Sequence, residues 1–272
     1  MKGMASATAC VGLWLGFLSL SAAERPHFDS QVRDGAITVD GKYNDWYGHL
    51  QPFGKEPIAI QFLNDGEFLY VRLTASDAAT RMQIVRQGMT IWFDPGGGSR
   101  KKLGIKYPVV EGGGPGWLGG GPRRRGEGVA DEEIAPADRV DILGPGKNDA
   151  RSLTRDHLPG IDVAIRAEQG MLQYELKVPL ARTADRPYAI EAAPGATIGV
   201  GLETAKVQQR APGEGRGGGF GGGGGFGGGG RGRAGGMGGR GGGGGRGGED
   251  QRGFQPPKPL NGWATVTIAP VR

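Results

Sequence analysis

The chain has 272 residues, with 33 basic and 28 acidic side chains and a formal net charge of +5. That excess is too small to argue for nucleic acid by itself. Glycine supplies 57 residues, 27 of them between Gly213 and Gly253. A stretch so rich in glycine buries no core, and what remains suits one packed domain.

Met1-Lys2, the apolar run Ala9 to Leu20 and the small residues Ser21-Ala22-Ala23 before Glu24 follow the order of a secretory signal peptide. The run is about a dozen residues, short of the ~20 that span a bilayer. Residues 1–23 are expected to be cleaved, leaving a secreted or periplasmic protein with no transmembrane segment in the mature chain. Cys10 is the single cysteine and leaves with them. The mature chain then has no disulfide and no thiolate, so an ordinary core must hold it.

The rest reads as short strands between turns. Ile37 to Val39 predicts a brief first strand, followed by the turn-rich Asp40-Gly41-Lys42-Tyr43-Asn44-Asp45-Trp46. Pro57 to Leu63 places Ile58, Ile60 and Phe62 on one face. Asn64-Asp65-Gly66 is a hairpin turn, since these residues tolerate positive φ. Glu67 to Ala75 returns with Leu69, Val71, Leu73 and Ala75 on one face and Phe68, Tyr70 and Arg72 on the other. Asp77 to Gln87 predicts one short helix, with Asp77 able to cap it and Gly88 able to stop it. Further strands are expected at Met89 to Asp94, Leu103 to Val109, Arg139 to Leu143, Ile161 to Ala167, Met171 to Val178, Thr197 to Val207 and Trp263 to Ala269. A Gly-, Pro- and charge-rich loop is expected at 111–138. About ten strands, one helix and no βαβ rhythm predict an all-β fold, an antiparallel β-sandwich with long Gly-rich loop insertions. The expected domain covers 24–212 plus 254–272. Residues 213–253 are expected to be a disordered Gly/Arg-rich insertion, tolerable because loop closure grows only logarithmically with length.

Four pieces in chain order resemble the family 9 carbohydrate-binding modules, a branch of the DOMON-like sandwiches. They are Ile37-Thr-Val-Asp40-Gly41 with Asp45-Trp46; Asn64-Asp65-Gly66-Glu67-Phe68-Leu69-Tyr70-Val71 running on to Asp77; Met89-Thr-Ile-Trp-Phe-Asp94; and Tyr174-Glu-Leu-Lys-Val-Pro-Leu180 followed by Ile198-Gly-Val-Gly-Leu202. The resemblance implies carbohydrate binding in a cleft between two tryptophans, one just before the central strand and one just before the last. The first place falls within Arg81 to Gln87, which holds no aromatic, and the second near Phe254. The family's metal sites are rich in carboxylates, and Asp45 and Asp77 sit near comparable turns, which leaves a calcium ion open.

Three aromatics are candidate ligand-binding residues. Trp117, flanked by glycines, could stack on a pyranose ring or anchor its loop against the sandwich. Phe254 takes the place of the second family tryptophan. Trp92 lies on a strand, where core or sheet surface is the default. Trp46 reads as a core plug and Trp263 as edge packing. Arg100-Lys101-Lys102 and Arg123-Arg124-Arg125 could hold an anionic glycan, lipopolysaccharide or a phosphate surface, or simply be solvated turns. Arg216, Arg240 and Arg246, each before two glycines, with Phe220 and Phe226 between them, have an RNA-binding composition, but export argues against it and no nucleic acid partner is expected.

No hydrolase, zinc or phosphate-loop motif is present. Glu175, Asp162 and Glu203 lie on strands where alternation points them to solvent, and no catalytic residue is assigned. Haem would need axial ligands from His27, His49, His157, Met82, Met89 and Met171. Met89 with His157 is the pair to test, but scattered methionines more often fill cores, so neither haem nor another cofactor is expected. The sequence reading is an exported, non-catalytic binding protein for a carbohydrate or cell-surface glycan. Its rival is a structural, envelope-associated sandwich without sugar binding.

Overall fold

A computed structural model describes residues 25–33, 35, 37–109, 137–146, 148–205 and 258–271. The leader at 1–23, the insertion at 213–253, Trp117 and Phe254 lie outside the described residues. In chain order the elements are β1 (His27–Asp29), β2 (Gln31–Val32), β3 (Gln51–Pro52), β4 (Ala59–Asn64), β5 (Phe68–Ala75), α1 (Ala78–Gln87), β6 (Met89–Asp94), β7 (Leu103–Tyr107), β8 (Arg139–Leu143), β9 (Ala150–Thr154), a 3-10 turn (Arg155–His157), β10 (Asp162–Glu168), β11 (Met171–Pro179), β12 (Thr197–Thr204) and β13 (Asn261–Thr267).

Period-two alternation builds two sheets, each with one apolar face. Seven strands run in the order β1-β13-β12-β6-β7-β8-β9, and the second sheet runs β10-β11-β5-β4-β2, with β3 pairing β4. Their inner faces interdigitate: Ile91 and Phe93 of β6, Ile105 of β7 and Val200 of β12 meet Leu73 of β5 and Tyr174 and Leu176 of β11, all fully buried. This is the all-β sandwich the alternation predicts.

The hairpin and the helix form where the sequence places them. Gly66 has φ +87°, and Asp65 Oδ1 accepts the N–H groups of Glu67 and Phe68 at 3.0 and 2.8 Å. Asp77 caps α1 by accepting from Thr80 N at 2.8 Å and Thr80 Oγ1 at 2.8 Å. Gly88 ends it at φ +74°, where a Cβ would stand 2.3 Å from the Pro108 carbonyl oxygen.

Three expectations are corrected. The sheets are mixed, since β1 pairs β13 and β2 pairs β4 in parallel. Strands β1, β2, β3 and β9 add to those expected. They have two to five residues and little or no buried side chain, so no alternating pattern marks them. Finally, Ile37 to Val39 is not a strand. It starts a segment, residues 37–49, that lies across the outer face of the second sheet.

That segment makes a second, smaller core. Trp46 packs with Leu63 and Tyr70, and Ile37, Tyr47 and Phe68 close the cluster. The Arg72 guanidinium reaches both the Tyr43 ring, at 5.4 Å, and the Trp46 ring, at 6.0 Å. Below them Glu175 accepts the backbone N–H groups of Asp40, at 3.0 Å, and Gly41, at 2.8 Å. Gly41 has φ +81°, and a Cβ there would stand 2.8 Å from Arg166 Cβ, so glycine is required. The Asp-Gly…Trp piece and the Tyr-Glu-Leu piece, distant in sequence, are thus bound to each other.

Candidate functional site

The outer face of the seven-stranded sheet carries a different arrangement. Trp263 of β13 is opposite Gly201 of β12, Gly201 is opposite Trp92 of β6, and Trp92 is opposite Gly104 of β7. Their chain neighbours Ala264, Val200, Leu202, Ile91, Phe93, Leu103 and Ile105 belong to the buried core. Alternation therefore places all four residues of the row on the outside.

The glycines set how the rings lie. A Cβ on Gly104 would meet Trp92 Cζ3, Cε3 and Cη2 at 2.6, 2.7 and 3.0 Å. A Cβ on Gly201 would meet Trp263 Cε2, Cδ2 and Cζ2 at 2.6, 2.8 and 2.8 Å. Near-equal distances to three adjacent ring atoms mean that each backbone faces the flat of the indole. Each ring therefore leans over the neighbouring strand, and both lean the same way. With strands about 4.8 Å apart, the two indoles sit about 10 Å from one another along the row.

Their surroundings differ. Trp263 is half-buried. Trp92 is only 9% exposed. Its indole N–H donates to Glu203 Oε2 at 2.6 Å, and Lys101 Nζ donates to the same oxygen at 2.6 Å. The ammonium group stands 5.2 Å from the Trp92 ring centroid, within cation–π range. Glu203, outward as alternation predicts, is directly opposite Asn261 on β13. The row thus has apolar ring surface at its centre and a carboxylate, an amide and an ammonium group at its rim. Rings with polar groups at the edge suit ligands that have an apolar C–H face and peripheral hydroxyls.

A groove of about 950 Å³ runs elsewhere, along the free edge of β10 between residues 37–40 and 155–158. Among the described residues no aromatic side chain lines it. Its charges are largely spoken for: Asp40 with Lys42 at 2.8 Å, Asp162 with Lys177 at 2.9 Å, and Arg166 with Glu168 at 3.4 Å.

Of the residues singled out from sequence, Trp92 lies on the row. Trp263, read as edge packing, joins it. The sequence did carry a cue, because Gly104 and Gly201 interrupt strands, and a strand glycine often marks a close approach. Trp46 is buried, as a core plug should be, but in the outer cluster. The expectation that Glu175 faces solvent is overturned. It is on the outer face as alternation requires, yet only 1% exposed because residues 40 and 41 cover it. Burial pushes its carboxyl up to about 7 against the opposing N–H groups of Gly41 and Asp40. Asp77 is occupied as the helix cap and Asp45 Oδ2 accepts Thr38 N at 2.5 Å. Met89 is fully buried in the core, whereas His157 is exposed on the 3-10 turn. Among the described residues, no group of three or more His, Cys, Asp or Glu side chains gathers to hold a metal, and no helix is long and apolar enough to cross a membrane.

No protein-family model matches the chain, and no curated protein does. Among solved structures, the chain is similar to a family 9 carbohydrate-binding module from Caldicellulosiruptor kristjanssonii in complex with glucose. Identity is 11%, the match covers 66% of this chain and 78% of that one, and the TM-score is 0.32. It is also similar to a "putative carbohydrate-binding protein" from Bacteroides uniformis, at 8% identity over 66% of this chain and 84% of that one, with a TM-score of 0.31. The sandwich itself is defined by this chain's own two sheets, and the site by its own side chains.

Proposed function

We propose that this chain is an exported, non-catalytic carbohydrate-binding protein whose sugar stacks on the outer face of the seven-stranded sheet. Trp263 supplies the open ring, Trp92 extends the surface, and Glu203 and Asn261 meet hydroxyl groups. The observation that supports this reading is the row Trp263–Gly201–Trp92–Gly104. Two indoles are laid flat, facing the same way, about two strand spacings apart, which suits successive rings of an extended glycan. The test is a glycan-array screen of the full chain beside Trp263→Ala and Trp263→Tyr. Binding to one glycan class is expected, at least about tenfold weaker in the alanine variant and largely kept in the tyrosine variant, which retains a flat ring. Equal binding by Trp263→Ala would sink the site.

One observation favours a purely structural role. Trp92 is closed between Gly104 and Lys101, as an aromatic that covers a strand glycine would be. On that reading a folded chain is silent across the array, and Trp263→Ala lowers the melting temperature and does nothing else.

A further inference from the structure

The charge around the row is what the stacking surface alone does not explain. Lys101 is the second of three consecutive cations, Arg100-Lys101-Lys102, in the turn that joins β6 to β7. Arg100 turns back to Asp94, with Nε 3.4 Å from Oδ2. Asp94 is fully buried and also accepts the N–H groups of Gly96 and Arg100, so its charge is already met. Lys102 is exposed and shares the parity of Gly104, and no carboxylate among the described residues pairs with it. Lys106 follows on β7, opposite Asp141 of β8, and Asp141 accepts the Ser152 hydroxyl. Lys106 reaches away from the row toward Gly88, so the three cations of the turn stand against two carboxylates beside Trp92, Asp94 and Glu203, and Asp94 is withdrawn into the sheet.

Lys101 is the informative member. Its ammonium group stands over the Trp92 ring and shares the Glu203 oxygen that also takes the indole N–H. The Lys101 side chain is 47% exposed, so its ion pair with Glu203 is screened and easily exchanged. A neutral sugar reaching Trp92 would have to displace Lys101 and give its charge nothing in return. A sugar bearing an anion offers the ammonium group a new partner as it leaves the ring. That exchange uncovers the second indole and frees Glu203 to accept hydroxyl hydrogen bonds.

We propose that the glycan bound on this row is anionic, carrying carboxylate or sulfate groups, and that Lys101 swings from Glu203 to the ligand's anion on binding. The inference rests on the stacking reading above and narrows its ligand class. Its test uses the full chain and matched polymers: polygalacturonate and its methyl ester, alginate and its ester, carrageenan and its desulfated form. Binding is followed by calorimetry at 20 mM and 500 mM salt (about 22 and 4 Å of screening length). At low salt the acidic member of at least one pair is expected to bind about tenfold tighter or more than its neutral partner. High salt should erase most of that margin. The pair that responds tells carboxylate from sulfate. Lys101→Gln, checked for folding by circular dichroism, should reduce the margin to about twofold.

Neutral and acidic members binding equally, with both lost in Trp263→Ala, would overturn the anionic assignment and leave the stacking site standing. A margin unchanged by Lys101→Gln would overturn the exchange. Silence toward the whole set, from folded protein, would overturn the anionic assignment, and silence across the glycan array as well would overturn the stacking reading with it.

Discussion

The outer faces of the two sheets solve one problem in opposite ways. Each presents large aromatics on the side away from the core. On the six-stranded sheet the chain covers them itself: residues 37–49 lay Trp46 against Leu63 and Tyr70 and seat two backbone N–H groups on Glu175. On the seven-stranded sheet the aromatics are laid over glycines of neighbouring strands, and Trp263 stays half open. A ring roofed by its own polypeptide has spent its surface on the fold. A ring with backbone beneath and solvent above still has a face to offer. Tryptophan by itself therefore does not mark a binding site; what covers each of its faces does.

The largest effect expected from this contrast is on the covered side. Trp46→Ala removes the centre of the outer cluster and the ring beside Arg72, and should cost about 3–5 kcal/mol of stability. Urea unfolding would read it. Glycan binding at a temperature where the variant stays folded should not change. A cost below about 1 kcal/mol would mean that the 37–49 segment adds little to the fold, and the contrast would lose its covered half.

Gly201→Ala probes the open side without touching an aromatic. The added Cβ would stand 2.6 Å from the Trp263 ring and be hemmed in by its face. The indole must lift away, at about 1–3 kcal/mol. Tryptophan fluorescence should shift to the red and glycan affinity should fall several-fold, although every side chain proposed to touch the sugar is present. Unchanged affinity would mean that the flat lie of the ring is irrelevant to binding.

The sequence made the sandwich legible wherever one face of a strand was apolar, as in Leu69-Tyr-Val-Arg-Leu-Thr-Ala75 or Leu172-Gln-Tyr-Glu-Leu-Lys-Val178. It failed where something other than a ladder holds the chain. Ile37-Thr-Val39 has strand residues, but it is anchored next door by a glutamate side chain 135 positions away from Asp40, and no local pattern records that partner. Gln51–Pro52 has exposed side chains, and Ala150–Thr154 has only Leu153 partly buried, with the Ser152 hydroxyl donated to Asp141 across the pair. The row of indoles was half visible. Trp92 stood out as an aromatic on a strand, while Trp263 passed for edge packing, because only the pairing register shows that each indole has a glycine beside it. For Glu175, alternation found the right face but not its roof.

Glu175 offers the finest test of that roof. Burial is the main cause that raises its carboxyl from an ordinary 4.5 to about 7. Below pH 4.5 folded and unfolded chains both hold the proton, and this site's contribution to stability is complete. Between about 4.5 and 7 the folded chain still holds a proton that the unfolded chain has released, so stability falls as pH rises and levels off above 7. The loss is on the order of 1–2 kcal/mol once relaxation of the cover is allowed for. Glu175→Gln keeps an acceptor for Gly41 and Asp40 but cannot titrate. Its stability should be flat across that window and should overtake the parent chain near pH 8. The competing influence is Arg72, whose guanidinium, between Tyr43 and Trp46, is electrostatically coupled to Glu175. If the parent chain's profile proved as flat as the variant's, Arg72 would be holding the carboxylate ionised under the cover. The 37–49 segment would then be closing over an ion pair, and the covered face would depend on charge as the open face is proposed to do.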